Sequence, residues 1–196
     1  KVSAENALSH ITELVEKLMQ HAEETPHGII GLCVAIHGLV AQEEIVFTPN
    51  YTLQSDLKVQ LEDVYPFYVH LENEANLAAL GEYTFGSSSD SVVSLSIHTG
   101  IGAGIVENGK LRTGKTGKAG EIGHSILYPD GRKCPCGNEG CLEQYASHQA
   151  IYSELEQALG LPDVNSSLVI ERYKKGVPTV QKVLRTNAHY LSIAVN

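Results

Sequence analysis

Apolar side chains at Leu8, Ile11, Leu14, Val15 and Leu18 recur at three- and four-residue spacing, which predicts a first helix that ends before Pro26-His27-Gly28. The run IIGLCVAIHGLV is nearly continuous in apolar and β-branched residues. It predicts a buried strand, with Cys33 as a small core residue. EEIVFTPN predicts a short second strand, LQSDLKVQLEDV a helix, and PFYVHLEN a strand leading into a helix over EANLAALGEYTFG. Small polar residues from Gly86 to Asp90 interrupt the pattern and predict a loop or hinge between two lobes, 1–86 and 87–196. SVVSLSIHTGIGAGIVENGKLRTG then reads as strand, glycine turn, strand and ENGK turn, followed by an irregular loop that carries three cysteines. Helices dominate to the end: EQYASHQAIYSELEQAL as one, another around SLVIERYKKG, and a last from about Pro178.

This alternation of strands and helices points to an α/β protein, and the 196 residues, 42% hydrophobic with 18 glycines, are enough for one domain or two lobes with a sizeable core. The chain opens on Lys1 rather than Met and closes on a helical pattern without a C-cap, so a piece of a longer protein is expected. A formal charge of −9, from 23 acidic and 14 basic residues, would repel phosphate backbones and anionic membranes. No apolar run approaches the roughly 18 residues of a membrane span, and no signal peptide precedes the first helix, so a cytoplasmic setting is expected.

The chemistry concentrates in GEIGHSILYPDGRKCPCGNEGCLEQ. His124, Cys134, Cys136 and Cys141 give one imidazole and three thiolates in the order H-x9-C-x-C-x4-C, a set that closes a tetrahedral zinc site. The competing reading is a disulfide with a spare thiol, which a reducing compartment disfavours. Glu121 and Glu143 bracket the four; they are either solvated surface charge or acceptors for a polyhydroxyl ligand. In HTGIGAGI, Thr99, Gly100, Gly102 and Gly104 form either a backbone cradle for a phosphate or an ordinary glycine-rich hairpin turn. Asn73 and Glu74 stand where a strand meets a helix, as an N-cap with an acidic first turn or as polar groups facing a ligand.

VAIHGLV with TPN, ENEANLAALGE, HTGIGAGIVENGKL, and above all GEIGH followed by CPCGNEGCLE, together resemble the ROK family of bacterial repressors and sugar kinases. The similarity runs from about Ile30 to Ser147 and extends into the helices beyond. It implies a two-lobed α/β fold of the actin and hexokinase (ribonuclease H-like) type, truncated here at both ends, with a sugar held in the cleft. Asn73, Glu74, Glu121, His124 and Glu143 would be sugar contacts, with Gly38 and Asn50 at the first-lobe contact positions. The zinc would be structural, and His124 would hold it with one ring nitrogen while the other faces the sugar.

Three departures from the family's kinases bear on function. Glu74 stands where they carry the Asp that takes the proton from the attacking hydroxyl, and one extra methylene displaces a carboxylate by roughly 1 Å. His98 replaces a glycine of the second phosphate loop, and an Asp-Gly-Gly-Thr first phosphate loop is not in the chain. The resemblance is strongest to xylose-repressor-type regulators. It implies an effector-binding and oligomerising part, a homodimer or tetramer, whose operator DNA is gripped by a helix-turn-helix outside this chain. The alternative is an ATP- and Mg²⁺-dependent sugar kinase with Glu74 as general base. A third is an inactive scaffold that uses the metal loop for assembly.

Overall fold

Helix α1 (Ala4–His21) forms where the apolar spacing placed it, but only Leu8, Ile11 and Val15 turn inward, while Leu14 and Leu18 are exposed. The computed structural model describes residues 4–49, 53, 55–86 and 88–195. After α1 come β1 (Gly31–Ile36), β2 (Leu39–Ala41), β3 (Glu44–Phe47), α2 (Leu57–Val64), β4 (Tyr68–Asn73) and α3 (Glu74–Gly81), which widens into a π-helical turn over Glu82–Gly86. Next are β5 (Ser91–Ile97), β6 (Ile101–Glu107), β7 (Lys110–Leu111), a 3₁₀ turn at Ile122–His124, and helices α4 (Glu143–Ala146), α5 (His148–Leu159), α6 (Ser166–Lys174) and α7 (Pro178–Val195). No helix among the described residues is long and apolar enough to cross a membrane.

The chain divides into two compact units, 1–92 with 104–119 and 93–103 with 120–196. These units cut through β5, between Val92 and Val93, and through β6, between Ala103 and Gly104, so they do not follow the expected boundary at 86/87.

In the first unit β1 and β4 pair in parallel, Gly31 opposite Tyr68 through Ile36 opposite Asn73, and β2 and β3 form an antiparallel hairpin. Ile36, Leu57, Leu61, Val69 and Leu71 are its most deeply buried side chains, each worth about 1.5–3 kcal/mol of burial. The run IIGLCVAIHGLV is not one buried strand. The His37-Gly38 bend splits it into β1 and β2, and alternation turns Gly31, Cys33 and Ala35 outward, so Cys33 is an exposed free thiol and not a core residue. A Cβ at Gly38 would run into the Phe47 carbonyl, which is why the bend needs glycine.

Gly104 lies flat against α3, where a Cβ would meet the Ala75 carbonyl and stand 2.6 Å from the Ala79 methyl. Gly102 and Gly104 are thus residues of β6, and only Thr99 and Gly100 of the expected glycine turn lie in the turn itself. In the second unit, Leu155 and Val180 anchor a core between α5, α6 and α7, and Ile101, Leu142 and Ala146 form another beneath the metal-type loop. The helix expected over EQYASHQAIYSELEQAL breaks at Ser147, whose extended backbone ends α4 and whose hydroxyl caps α5 by accepting from the Ala150 N–H at 3.2 Å.

Candidate metal centre and the carboxylates around it

The loop from Ile122 to Cys141 is held by short backbone bonds that bury Cys134 and Cys141 and leave most of its other polar side chains exposed. Cys134 N–H donates to Asn138 O at 2.9 Å and Gly137 N–H to Cys134 O at 3.0 Å, a tight knuckle in which Gly137 takes φ of 95°. Gly140 packs on Tyr128 so closely that a Cβ would strike the Tyr128 carbonyl. Leu142 N–H then donates to Ser125 O at 2.9 Å, which brings Cys141 back beside His124.

The ligand atoms of His124, Cys134, Cys136 and Cys141 all lie within 4.8 Å of one another, a set that can hold a metal ion. Cys134 Sγ is 3.6 Å from His124 Nδ1, and Cys136 Sγ is 3.7 Å from Cys141 Sγ. Cys134 and Cys141 are buried. Burial pushes the thiols of Cys134 and Cys141 up from the usual range. At Cys136 burial acts the same way, but the Asn138 backbone N–H and contacts from Cys134 and Cys141 outweigh it and draw this thiol down. Buried thiolates need a cation nearby, and a metal ion held by these four residues would supply it.

Two carboxylates flank the histidine. Glu121 Oε2 stands 3.7 Å from His124 Nε2, and Glu143 Oε1 stands 3.7 Å from Nδ1 and 3.1 Å from Cys134 Sγ. The ring therefore turns Nδ1 to the thiols and Nε2 to Glu121. Gly100 leaves room for Glu143: a Cβ there would sit 2.9 Å from Glu143 Oε2. Sequence reasoning missed Gln144, whose amide lies 3.6 Å from Cys134 Sγ, and Tyr145, whose hydroxyl accepts from the Arg132 N–H at 2.7 Å while its carbonyl accepts from Asn187 at 3.0 Å. Their only signal is adjacency to Cys141.

The other expected contacts belong to the first unit. Asn73 Oδ1 accepts from the N–H groups of Ala75 and Asn76 at 2.8 and 3.2 Å, capping α3, and its Nδ2 donates to Gly38 O at 2.7 Å. One amide hydrogen remains for a ligand. Glu74, first residue of α3, is half-exposed with Oε1 4.0 Å from His37 Nδ1. Asn50 lies outside the described residues. His98 is exposed beside Thr99; its carbonyl accepts from His148 N–H at 2.9 Å and its ring meets that of His148 edge-on at 5.9 Å.

Residues 1–196 match the ROK family. The chain is similar to the xylose repressor of Bacillus subtilis, 38% identical over 150 residues that make up 74% of this chain and 39% of that protein. It is also similar to the glucokinase of Streptomyces coelicolor, 39% identical over 136 residues, 67% of this chain and 43% of that protein. The chain thus spans about two fifths of the length of these curated relatives. Among solved structures, a ROK family glucokinase from Streptomyces griseus in complex with glucose and AMPPNP superposes with a TM-score of 0.84 at 29% identity, covering 98% of this chain and 67% of that one. A ROK family transcriptional regulator, a homolog of the E. coli MLC protein, gives 0.84 at 27% identity, covering 100% of this chain and 53% of that one. The glucose-bound kinase and the regulator share one α/β fold with this chain, which belongs to the ROK family.

Proposed function

We propose that this chain is the sugar-effector-binding part of a transcriptional repressor, and that zinc anchors the wall on which the sugar is recognised. The observation that carries the reading is the His124 ring, with Nδ1 3.6 Å from Cys134 Sγ and Nε2 3.7 Å from Glu121. A zinc–sulfur bond of 2.3 Å implies tetrahedral ligand separations of about 3.8 Å. The 3.6 and 3.7 Å spacings within the cluster support zinc as the occupant. Zinc supplies charge compensation and rigidity there, with all four ligands from protein.

Zinc held on Nδ1 fixes the other ring nitrogen as Nε2–H, a donor toward a sugar oxygen or toward Glu121. Glu121 and Glu143, each anchored at this ring, accept hydrogen bonds from sugar hydroxyls. In the first unit, Asn73 offers its remaining amide hydrogen, and the resemblance implies further contacts from Gly38, Glu74 and Asn50, the last outside the described residues. Xylose is the expected sugar, on the strength of the xylose repressors among the relatives. Sugar changes DNA affinity only by its differential affinity for two states of the protein. In the full-length protein, a helix-turn-helix outside this chain contacts the operator, and the protein assembles as a homodimer or tetramer in the cytoplasm.

The glucokinase relatives support a second reading, an ATP-dependent sugar kinase. Glu74 would then be the general base, with ATP and Mg²⁺ at the Thr99–Gly104 loop. Against it, Glu74 replaces the kinases' Asp and its Oε1 leans toward His37. A thermal-shift screen of the chain with xylose, glucose, N-acetylglucosamine and ATP separates these readings. A rise in Tm with xylose and none with ATP is expected; sugar-dependent ATP turnover by the full-length protein at ordinary kinase rates would overturn the repressor reading.

A further inference from the structure

A cavity of about 290 Å³ opens within the first unit. It is lined by the β2–β3 hairpin from Val40 to Glu43, by Glu72 of β4, and by the loop bearing Thr113 and Lys115. Its wall is built: a Cβ at Gly117 would strike the Val40 carbonyl, so that loop packs directly on β2, and Ala119 N–H closes it onto Thr113 O at 3.0 Å. Glu43 is committed elsewhere, bonded by Lys58, Tyr68 and His70.

Glu72 is different. It is a carboxylate only 8% exposed, and Oε1 alone is engaged, accepting from Asn73 N–H at 2.7 Å and Asn76 Nδ2 at 2.9 Å. Among the described residues Oε2 has no hydrogen-bond partner and Glu72 makes no ion pair, although it lines the cavity. Burying a carboxylate without a cation is unfavourable, and Lys115, the cation lining the cavity, is exposed and makes no ion pair with Glu72 among the described residues. Around the same space, Gln42, Thr113 and the exposed Lys115 offer donors and acceptors suited to hydroxyl groups.

We propose that this cavity binds a small hydroxylated molecule bearing a primary ammonium group, with the ammonium on Glu72 Oε2 and the hydroxyls on Thr113, Gln42 and Lys115. Because Glu72 Oε1 also holds the Asn73 N–H, occupancy acts directly on the first turn of α3.

The test is a titration of the chain with 2-amino-1,3-propanediol, followed by backbone amide shifts, with glycerol as the uncharged control. Saturable shifts confined to 40–43, 72–76 and 113–117 are expected, absent with glycerol and unchanged in Glu121→Ala. Glu72→Gln keeps the acceptor for Asn73 N–H and removes the charge; it should weaken binding roughly tenfold or more, as loss of a charge-assisted bond does. Equal binding by Glu72→Gln, equal shifts with glycerol, no saturable shifts, or shifts only within 121–143 would each overturn the proposal. Thr113→Val is the second variant, expected to bind severalfold more weakly; unchanged affinity in it also counts against the site.

Discussion

In the proposed reading, His124 is the residue on which recognition and metal binding meet. Its Nδ1 faces the thiols and its Nε2 faces Glu121, so the two functions separate by mutation. Glu121→Ala is expected to abolish sugar binding while elemental analysis still finds about one zinc per chain. Unchanged sugar affinity would mean that this carboxylate has been misassigned. Cys136→Ser removes a ligand instead; it should lose both metal and sugar binding and melt at a lower temperature. Glu43 makes a prediction of another kind. Lys58 first, then the Tyr68 hydroxyl and His70, hold its carboxyl well below its ordinary 4.5, at about 2, against an opposing effect of burial. A depressed carboxylate stabilises the fold above its unfolded value and loses that contribution as pH falls through its folded value. Acid unfolding should therefore steepen between about pH 4.5 and 2, and Glu43→Gln should flatten that limb in denaturant melts taken across the window.

At the scale of elements, the convergence of His124, Cys134, Cys136 and Cys141 was legible in the sequence because they fall in one loop, where spacing alone restricts what the side chains can reach. The glycine turn was less legible. GIGAG has turn composition, yet Gly104 is needed in a strand because α3 packs against it. Gly104→Ala should cost about 1–3 kcal/mol, seen as a lower Tm, since the added methyl meets the Ala75 carbonyl and the Ala79 side chain. Cys33 shows the same limit: an apolar run tells that a strand exists, but only pairing tells which face is covered, and β1 has β4 on one side with Cys33 turned out. The break at Ser147 was hidden because YAS continues a helical pattern, and only the serine's extended backbone and capping bond end it. Glu43 and the Tyr145–Asn187 bond were invisible for a simpler reason: their partners lie far away along the chain.

For the whole molecule, the resemblance carried fold and family, since the cysteine motif and ENEANLAALGE are specific and contiguous. Which activity the fold serves turns on single substitutions, Glu74 and His98, and on segments of the relatives beyond the part this chain spans. The central claim is that a metal-anchored wall recognises a sugar. A calorimetric titration of xylose into the chain, before and after zinc is stripped by a chelator, tests it most directly. Saturable binding by the metal-loaded chain, lost on stripping and restored when zinc is returned, is the predicted result; equal affinity with and without the metal would contradict it.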